Sequence, residues 1–518
     1  FGSHNLNLTA IHSAQKVNYE YYYQEGRGFS NEGSFNQYMG NATEIRTPIT
    51  EVYEDALTSA IGRLMYNFDS RYFISASIRR DETSRLATDN QSDYFPAASA
   101  GWNISNESFF NSNTINNLKL RASWGQIGNI NSVGYYSFDV PLNTTQVILG
   151  ENGSLDYKGV FVGRQSNPNL KWETSESIDF GLDAGFFKNS LTLTVDYFKK
   201  NTKGMIVPGL EDLHQGTSSA DVNGGEVENK GWEFAVNYNK TLTNGLKFGV
   251  FANLSTLSNE LINLDGYNDS GVNYINHTDN VRGVLTPFRS EVGQGLYSYN
   301  LIPYAGIFQS QAEIDAHQKD GKLIQPNAVP GDFKFVDTNE DGKIDNDDKT
   351  FMGSYIPDLT YSFGFNLNYK GFDLNTLFQG VGSVEVFNAY KFSTYNAALQ
   401  GYNLDNRVLN AWSPENTNTD IPRISTSDNN ANFGNASSWY LENGSYLRLK
   451  NVTLGYTIPS QVMNKISASS TLRLFFSGEN LFTITDYSGM DPEVGGNGLD
   501  VGRYPLSKTY SLGLSFSF

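Results

Sequence analysis

Leu506-Ser-Lys-Thr-Tyr-Ser-Leu-Gly-Leu-Ser-Phe-Ser-Phe518 alternates almost without error. In an extended strand Leu506, Tyr510, Leu512, Leu514, Phe516 and Phe518 share one face; Ser507, Thr509, Ser511, Gly513, Ser515 and Ser517 share the other. A greasy face opposite a small polar one, in the closing strand, is how a membrane β-barrel finishes. Lipid admits only helices or closed barrels, because every backbone N–H and C=O must find its partner within the protein. A soluble β-sandwich also alternates, so the decision rests on how often the pattern recurs.

It recurs along the whole chain. The segments 4–23, 59–67, 71–80, 94–104, 117–126, 176–186 and 190–201 alternate, as do 229–239, 245–258, 358–368, 371–381, 444–457, 470–480 and 506–518. Leu191, Leu193, Val195 and Tyr197 oppose Thr192, Thr194 and Asp196, and Tyr361, Phe363, Phe365 and Leu367 oppose Ser362, Gly364, Asn366 and Asn368. Most segments are near the roughly 9–11 residues of a tilted membrane strand. Burying the amide and carboxylate faces against a second sheet would cost several kcal/mol per unpaired group, a cost that a wet lumen removes.

Tight turns at 67–70, 187–190, 240–245 and 369–372 alternate with long links at 24–58, 126–175, 202–228, 259–358 and 382–443. Short turns on one rim and long loops on the other are the bacterial barrel pattern. The chain therefore reads as an all-β, transmembrane antiparallel β-barrel of about fourteen strands with long extracellular loops, its last strand descending and its first ascending. Within the longest link, 309–319 reads as one short helix, and residues 1–518 read as one domain. The start at Phe1, with no leader before it, suggests a piece of a longer protein.

Composition agrees. No apolar run approaches the roughly 20 residues of a membrane helix. A mean hydropathy of −0.42 suits a barrel, since half of each strand faces water. Aromatics make up 14 %, with 31 Tyr suited to the lipid–water boundary. A net charge of −18 argues against nucleic acid, and the absence of Cys excludes disulfides and thiol chemistry.

Several stretches carry a resemblance in order and spacing. They are Arg71-Tyr-Phe-Ile-Ser-Ala-Ser-Ile-Arg-Arg-Asp81, Tyr94-Phe-Pro-Ala-Ala-Ser-Ala-Gly-Trp102, Leu118-Lys-Leu-Arg-Ala-Ser-Trp-Gly-Gln-Ile-Gly-Asn129 and Asn167-Pro-Asn-Leu-Lys-Trp-Glu173. Tyr446-Leu-Arg-Leu-Lys-Asn-Val-Thr-Leu-Gly-Tyr456 and Ser477-Gly-Glu-Asn-Leu-Phe482 extend the series. Together they resemble the SusC/RagA-like family of TonB-dependent outer-membrane transporters. The resemblance implies the C-terminal portion of a barrel of about 22 strands, with about eight strands and a plug upstream. It also implies a Gram-negative outer membrane, energy from TonB through that upstream part, a SusD-like surface lipoprotein as lid, and a glycan or peptide cargo.

The sharpest local motif is Asp337-Thr-Asn339-Glu-Asp341-Gly342-Lys343-Ile344-Asp345-Asn-Asp-Asp348. Oxygen ligands at positions 1, 3 and 5, glycine at 6, a backbone carbonyl at 7 (Lys343) and ligands at 9 and 12 resemble a calcium loop. Position 12 is Asp where Glu is usual, and no entering helix is evident; an acidic solvated turn is the other reading. Trp412, Trp439, Tyr440 and the Asn-rich 428–435 stretch are candidate sugar contacts, or else packing for an outer lobe. Catalysis finds no support: His4, His12, His214, His277 and His317 are scattered, no nucleophile elbow occurs, and Glu211-Asp212 fits a solvated loop. Two alternatives stay open, a surface attachment protein anchored by a barrel and a soluble glycan-binding sandwich.

Overall fold

The computed structural model describes residues 2–518 except 31–32, 34–37, 150–154, 211–213, 215, 266–270 and 464–469. Fourteen strands run in series. The first seven are β1 (His4–Tyr23), β2 (Ile49–Phe68), β3 (Tyr72–Thr83), β4 (Ser92–Asn103), β5 (Ile115–Asn129), β6 (Glu173–Phe186) and β7 (Leu191–Pro208). There follow β8 (Asp221–Thr241), β9 (Lys247–Thr256), β10 (Leu359–Tyr369), β11 (Phe372–Gly382), β12 (Tyr446–Thr457), β13 (Thr471–Glu479) and β14 (Thr509–Ser517). Each pairs antiparallel with its sequence neighbour, and two short strands, Ser258–Asn263 and Thr483–Thr485, extend the pairing of β8 and β12.

The register carries the oily face from strand to strand. Leu8, Leu64, Ala76, Ala98, Trp124 and Ile178 stand side by side across β1 to β6. Leu182, Val195, Phe234, Leu254 and Tyr361 continue it across β6 to β10, and Phe372, Tyr456, Leu474 and Leu514 across β11 to β14. Leu8 is 73 % exposed and Leu514 62 %, so no second sheet covers this face. Among the described residues every other sheet has two to four strands, which removes the sandwich reading. An apolar face this extensive needs lipid around it.

The fourteen alternating segments correspond one to one with the strands, and 4–23 matches β1 from end to end. β2, β7 and β8 run 18–21 residues, longer than the segments read from sequence, because like β1 their outer halves keep pairing beyond what a bilayer requires. The last strand begins at Thr509 rather than Leu506, since the Leu506 N–H donates to Asp491 Oδ2 at 3.0 Å and belongs to the preceding link. The turn between β10 and β11 uses Lys370 (φ 50°) and Gly371 (φ 88°), the paired positive φ of a type I′ hairpin. The 309–319 helix is present as Gln311–Ala316, capped by the Ser310 side chain accepting from the Glu313 N–H.

Candidate functional site

Two regions face away from lipid: the inner face of the sheet and a lobe on its long-loop rim. The inner face is polar, and two charge clusters span its strands. Arg121 on β5 lies 2.8 Å from Asp183 on β6 and 2.8 Å from Asp196 on β7, with Asp179 at 3.9 Å. Arg473 on β13 donates to both carboxylate oxygens of Asp373 on β11. Asn253 and Ser362, and Asn451, Thr453 and Ser477, hydrogen-bond across neighbouring strands. The parity of each strand puts these groups inside once the oily face is outside.

The lobe grows from the 257–358 and 383–445 links, which share one core. Tyr299, Leu301, Phe333 and Phe335 from the first pack with Phe387, Trp439 and Tyr440 from the second. The Trp439 ring lies 5.0 Å from Phe333 and 5.1 Å from Tyr440. Each buried phenol keeps a partner: Tyr440 donates to the Phe433 carbonyl at 2.9 Å and Tyr299 to the Gly498 carbonyl at 3.0 Å. Fully buried Asp332 accepts from Arg423 Nε at 2.8 Å, Asn432 Nδ2 at 3.0 Å and the Val329 N–H at 3.0 Å, so its charge is compensated.

Ion pairs brace the lobe and the link beside it. Lys391 meets Glu442 at 2.8 Å and sits over the Trp439 ring; burial pushes the Glu442 carboxyl up, but Lys391 with the Ser488 N–H and the Asn388 amide together hold it below its usual range. Arg448 on β12, 2 % exposed, grips Asp491 and Glu493 of the 480–508 link at 2.5 and 2.7 Å. His277 is neutral: burial lowers its pKa to about 4. The Ser290 hydroxyl accepts from the Tyr297 N–H at 2.9 Å and shares a hydrogen bond of 2.7 Å with His277 Nε2.

The 337–348 loop is a self-bonded turn. Asp337 accepts from the N–H groups of Asp341 and Gly342 at 3.1 and 2.8 Å, and Asn339 accepts from Asp341 at 3.0 Å. Gly342 has φ 90°, a conformation that suits glycine. The Lys343 ammonium lies between Asp341 and Asp345; their hydrogen bonds raise its pKa and hold Asp345 low. Asp348 is fully buried and latches the loop, accepting from the Thr338 and Asp345 N–H groups, both at 2.8 Å. Among the described residues no three acidic or histidine side chains converge as a metal site.

Of the aromatic candidates, Trp439 and Tyr440 are lobe core, and Trp412 packs against that core with its Nε1 donating to Gln309 at 2.8 Å. Asn430 and Asn432 bond inside the lobe, and Glu211-Asp212 lies outside the described residues. The Arg121 and Arg448 clusters were not singled out from sequence. A charged residue at an inward parity position was the available signal for Arg121; nothing local marks Arg448, whose acidic partners are more than forty residues away.

A family model described as "TonB dependent receptor-like, beta-barrel" matches residues 2–481. TonB-dependent receptor P3 of Formosa agariphila is 32 % identical over 534 residues, covering 100 % of this chain and 51 % of the relative. TonB-dependent receptor SusC of Bacteroides thetaiotaomicron is 28 % identical over 504 residues, covering 96 % and 47 %. The chain thus spans about half the length of the curated relatives it matches. Among solved structures, the RagAB peptide transporter superposes with TM-score 0.80 at 26 % identity, covering 100 % of this chain and 54 % of that one.

Proposed function

The chain belongs to the TonB dependent receptor-like β-barrel family, and we propose that it forms much of the wall and the outer lobe of an importer for a large nutrient, an oligosaccharide or a peptide. The family is one of Gram-negative outer-membrane barrels, and its members matched here are receptors and transporters, not enzymes. The observation that carries the proposal is a single fourteen-strand sheet, oily outside and polar inside, crowned on one rim by a packed lobe. In this reading residues 1–518 work as one unit. β1 and β14, each paired on one side among the described residues, are closed by further strands, because an open edge in lipid leaves backbone groups unpaired. Cargo is held at the lobe under a SusD-like lipoprotein lid, and TonB acts through the remainder of the protein.

Growth tests this. A deletion strain and its complement with the full-length gene are grown on single oligosaccharides and on peptide pools as carbon source. Loss of growth on one class, restored by the gene, is expected, as is co-purification of a surface lipoprotein with the full-length protein. Unchanged growth on every source, with lost surface adhesion instead, overturns import in favour of attachment.

The same reading gives the 337–348 loop a calcium ion. Asp337, Asn339, Asp341, the Lys343 carbonyl, Asp345 and Asp348 would hold it, with the Lys343 side chain, 61 % exposed, swinging out to release Asp341 and Asp345. Calcium should raise the melting temperature of the lobe, more so in Lys343→Met and not in Asp341→Ala; no shift in any of the three removes the ion from the proposal.

A further inference from the structure

A glycine inside a strand costs stability and packs nothing, so a recurrent one needs a cause. On the inner face the cause is visible at three cross-strand rows. Gly181 on β6 stands directly between Arg121 on β5 and Asp196 on β7. A Cβ there would collide with Asp196 Oδ1 and lie 2.5 Å from the Arg121 guanidinium carbon. Gly455 on β12 stands in the same way between Asp373 on β11 and Arg473 on β13, and its Cβ would strike both charged groups. Gly249 on β9 separates Asn239 on β8 from Asn366 on β10, and both amides lie over it.

Rings use the device too. Phe251 lies over Gly364 and Phe475 over Gly513, each from the directly paired position. In every case a long side chain that would otherwise point into the lumen lies along the wall. Arg121 and Asp196 are accordingly only 31 % and 15 % exposed, and Arg473 and Asp373 30 % and 16 %.

We propose that Gly181, Gly249 and Gly455 are positioning residues that plane the wet wall. Each opens a gap in which groups from the two flanking strands meet across a third, so that polar side chains are folded flat, the charged ones paired with each other, and the bore is left unobstructed. The wall is a surface for passage, and capture is left to the outer lobe. The consequence for passage rests on the importer reading; the flatness does not.

The full-length protein, purified in detergent, is treated with 4-hydroxyphenylglyoxal, a bulky arginine reagent, and each modified arginine is followed by mass spectrometry. Gly181→Ala should speed modification of Arg121 and leave Arg473 unchanged, and Gly455→Ala should do the reverse. Breaking one partly exposed ion pair predicts about fivefold in each case. No acceleration at the matching arginine overturns the proposal. In the unaltered protein both must react more slowly than Arg27, whose side chain is 52 % exposed; equal rates overturn it without any variant.

In cells, labelled maltodextrin or a labelled casein-peptide pool, whichever the unaltered protein imports, is the probe. Gly181→Ala should lower maximal uptake by roughly threefold or more with half-saturation unchanged within about twofold. A rise in half-saturation at unchanged maximal rate makes the wall a capture site and overturns the passage role. Import of neither probe by the unaltered protein counts against the importer reading, while the arginine rates still decide whether the wall is flat.

Discussion

Two adjacent residues on β8 should respond oppositely to the same substitution. Val236 stands on the oily face beside Leu193 and Ala252, and Ala235 on the wet face beside Thr194 and Asn253. β8 ends at Thr241, so both lie about five residues above the short-turn rim. At about 3.3 Å per residue and a tilt near 40°, that is about 13 Å, the middle of an apolar band about 25 Å tall. Val236→Arg therefore places a guanidinium near the bilayer midplane, at a cost of about 2–4 kcal/mol. Ala235→Arg places it in water near Glu233, Asp196 and Asp183, where it should cost less than about 1 kcal/mol.

The assay is denaturant titration of the full-length protein folded into lipid vesicles, read by tryptophan fluorescence, with heat-resistant migration as the check on assembly. A difference of 2–4 kcal/mol is roughly a thirty- to thousand-fold change in the folding constant. If Ala235→Arg proves as costly as Val236→Arg, or more so, the assignment of faces is wrong and the barrel argument fails with it.

Other outcomes follow from the lobe. Tyr440→Ala removes a fully buried ring from its core and should cost about 3–5 kcal/mol of lobe stability, measured by hydrogen exchange, while β5 to β9 stay protected. Arg448→Ala leaves Asp491 without its cation and Glu493 with Lys450 alone; a loss of about 3 kcal/mol and rapid proteolysis within the 486–503 link are expected, and an intact link refutes the clamp. His277 gives a pH dependence of definite sign. Its folded pKa of about 4 lies below the ordinary 6.5, so the unfolded chain takes the proton first. Its contribution is complete above pH 6.5 and drains as the pH falls from 6.5 to 4, about 1–2 kcal/mol after allowance for its partial solvent contact. His277→Gln should flatten that part of the lobe's melting curve.

Alternation by itself determined the fold class, the number of strands, the side each residue faces and the rim that carries the long loops. Each of these is a period-two property of consecutive residues, and a one-residue slip would reverse every face, so local sequence holds the whole of that information. The tight turn at 369–372 was legible for the same reason, as turn chemistry is local, while its paired positive φ at Lys370 and Gly371 came from the structure. What the aromatics of the long links do was not legible. Trp439 and Tyr440 could line a sugar site or fill a core, and the choice belongs to Phe333, Phe387 and Tyr299, up to about 140 residues away in the chain. The extensions of β2, β7 and β8 above the rim, the Arg448 clamp and the glycine gaps were likewise decided only in three dimensions. Each depends on which residue the register sets opposite which, and a sequence read one strand at a time does not contain its neighbour.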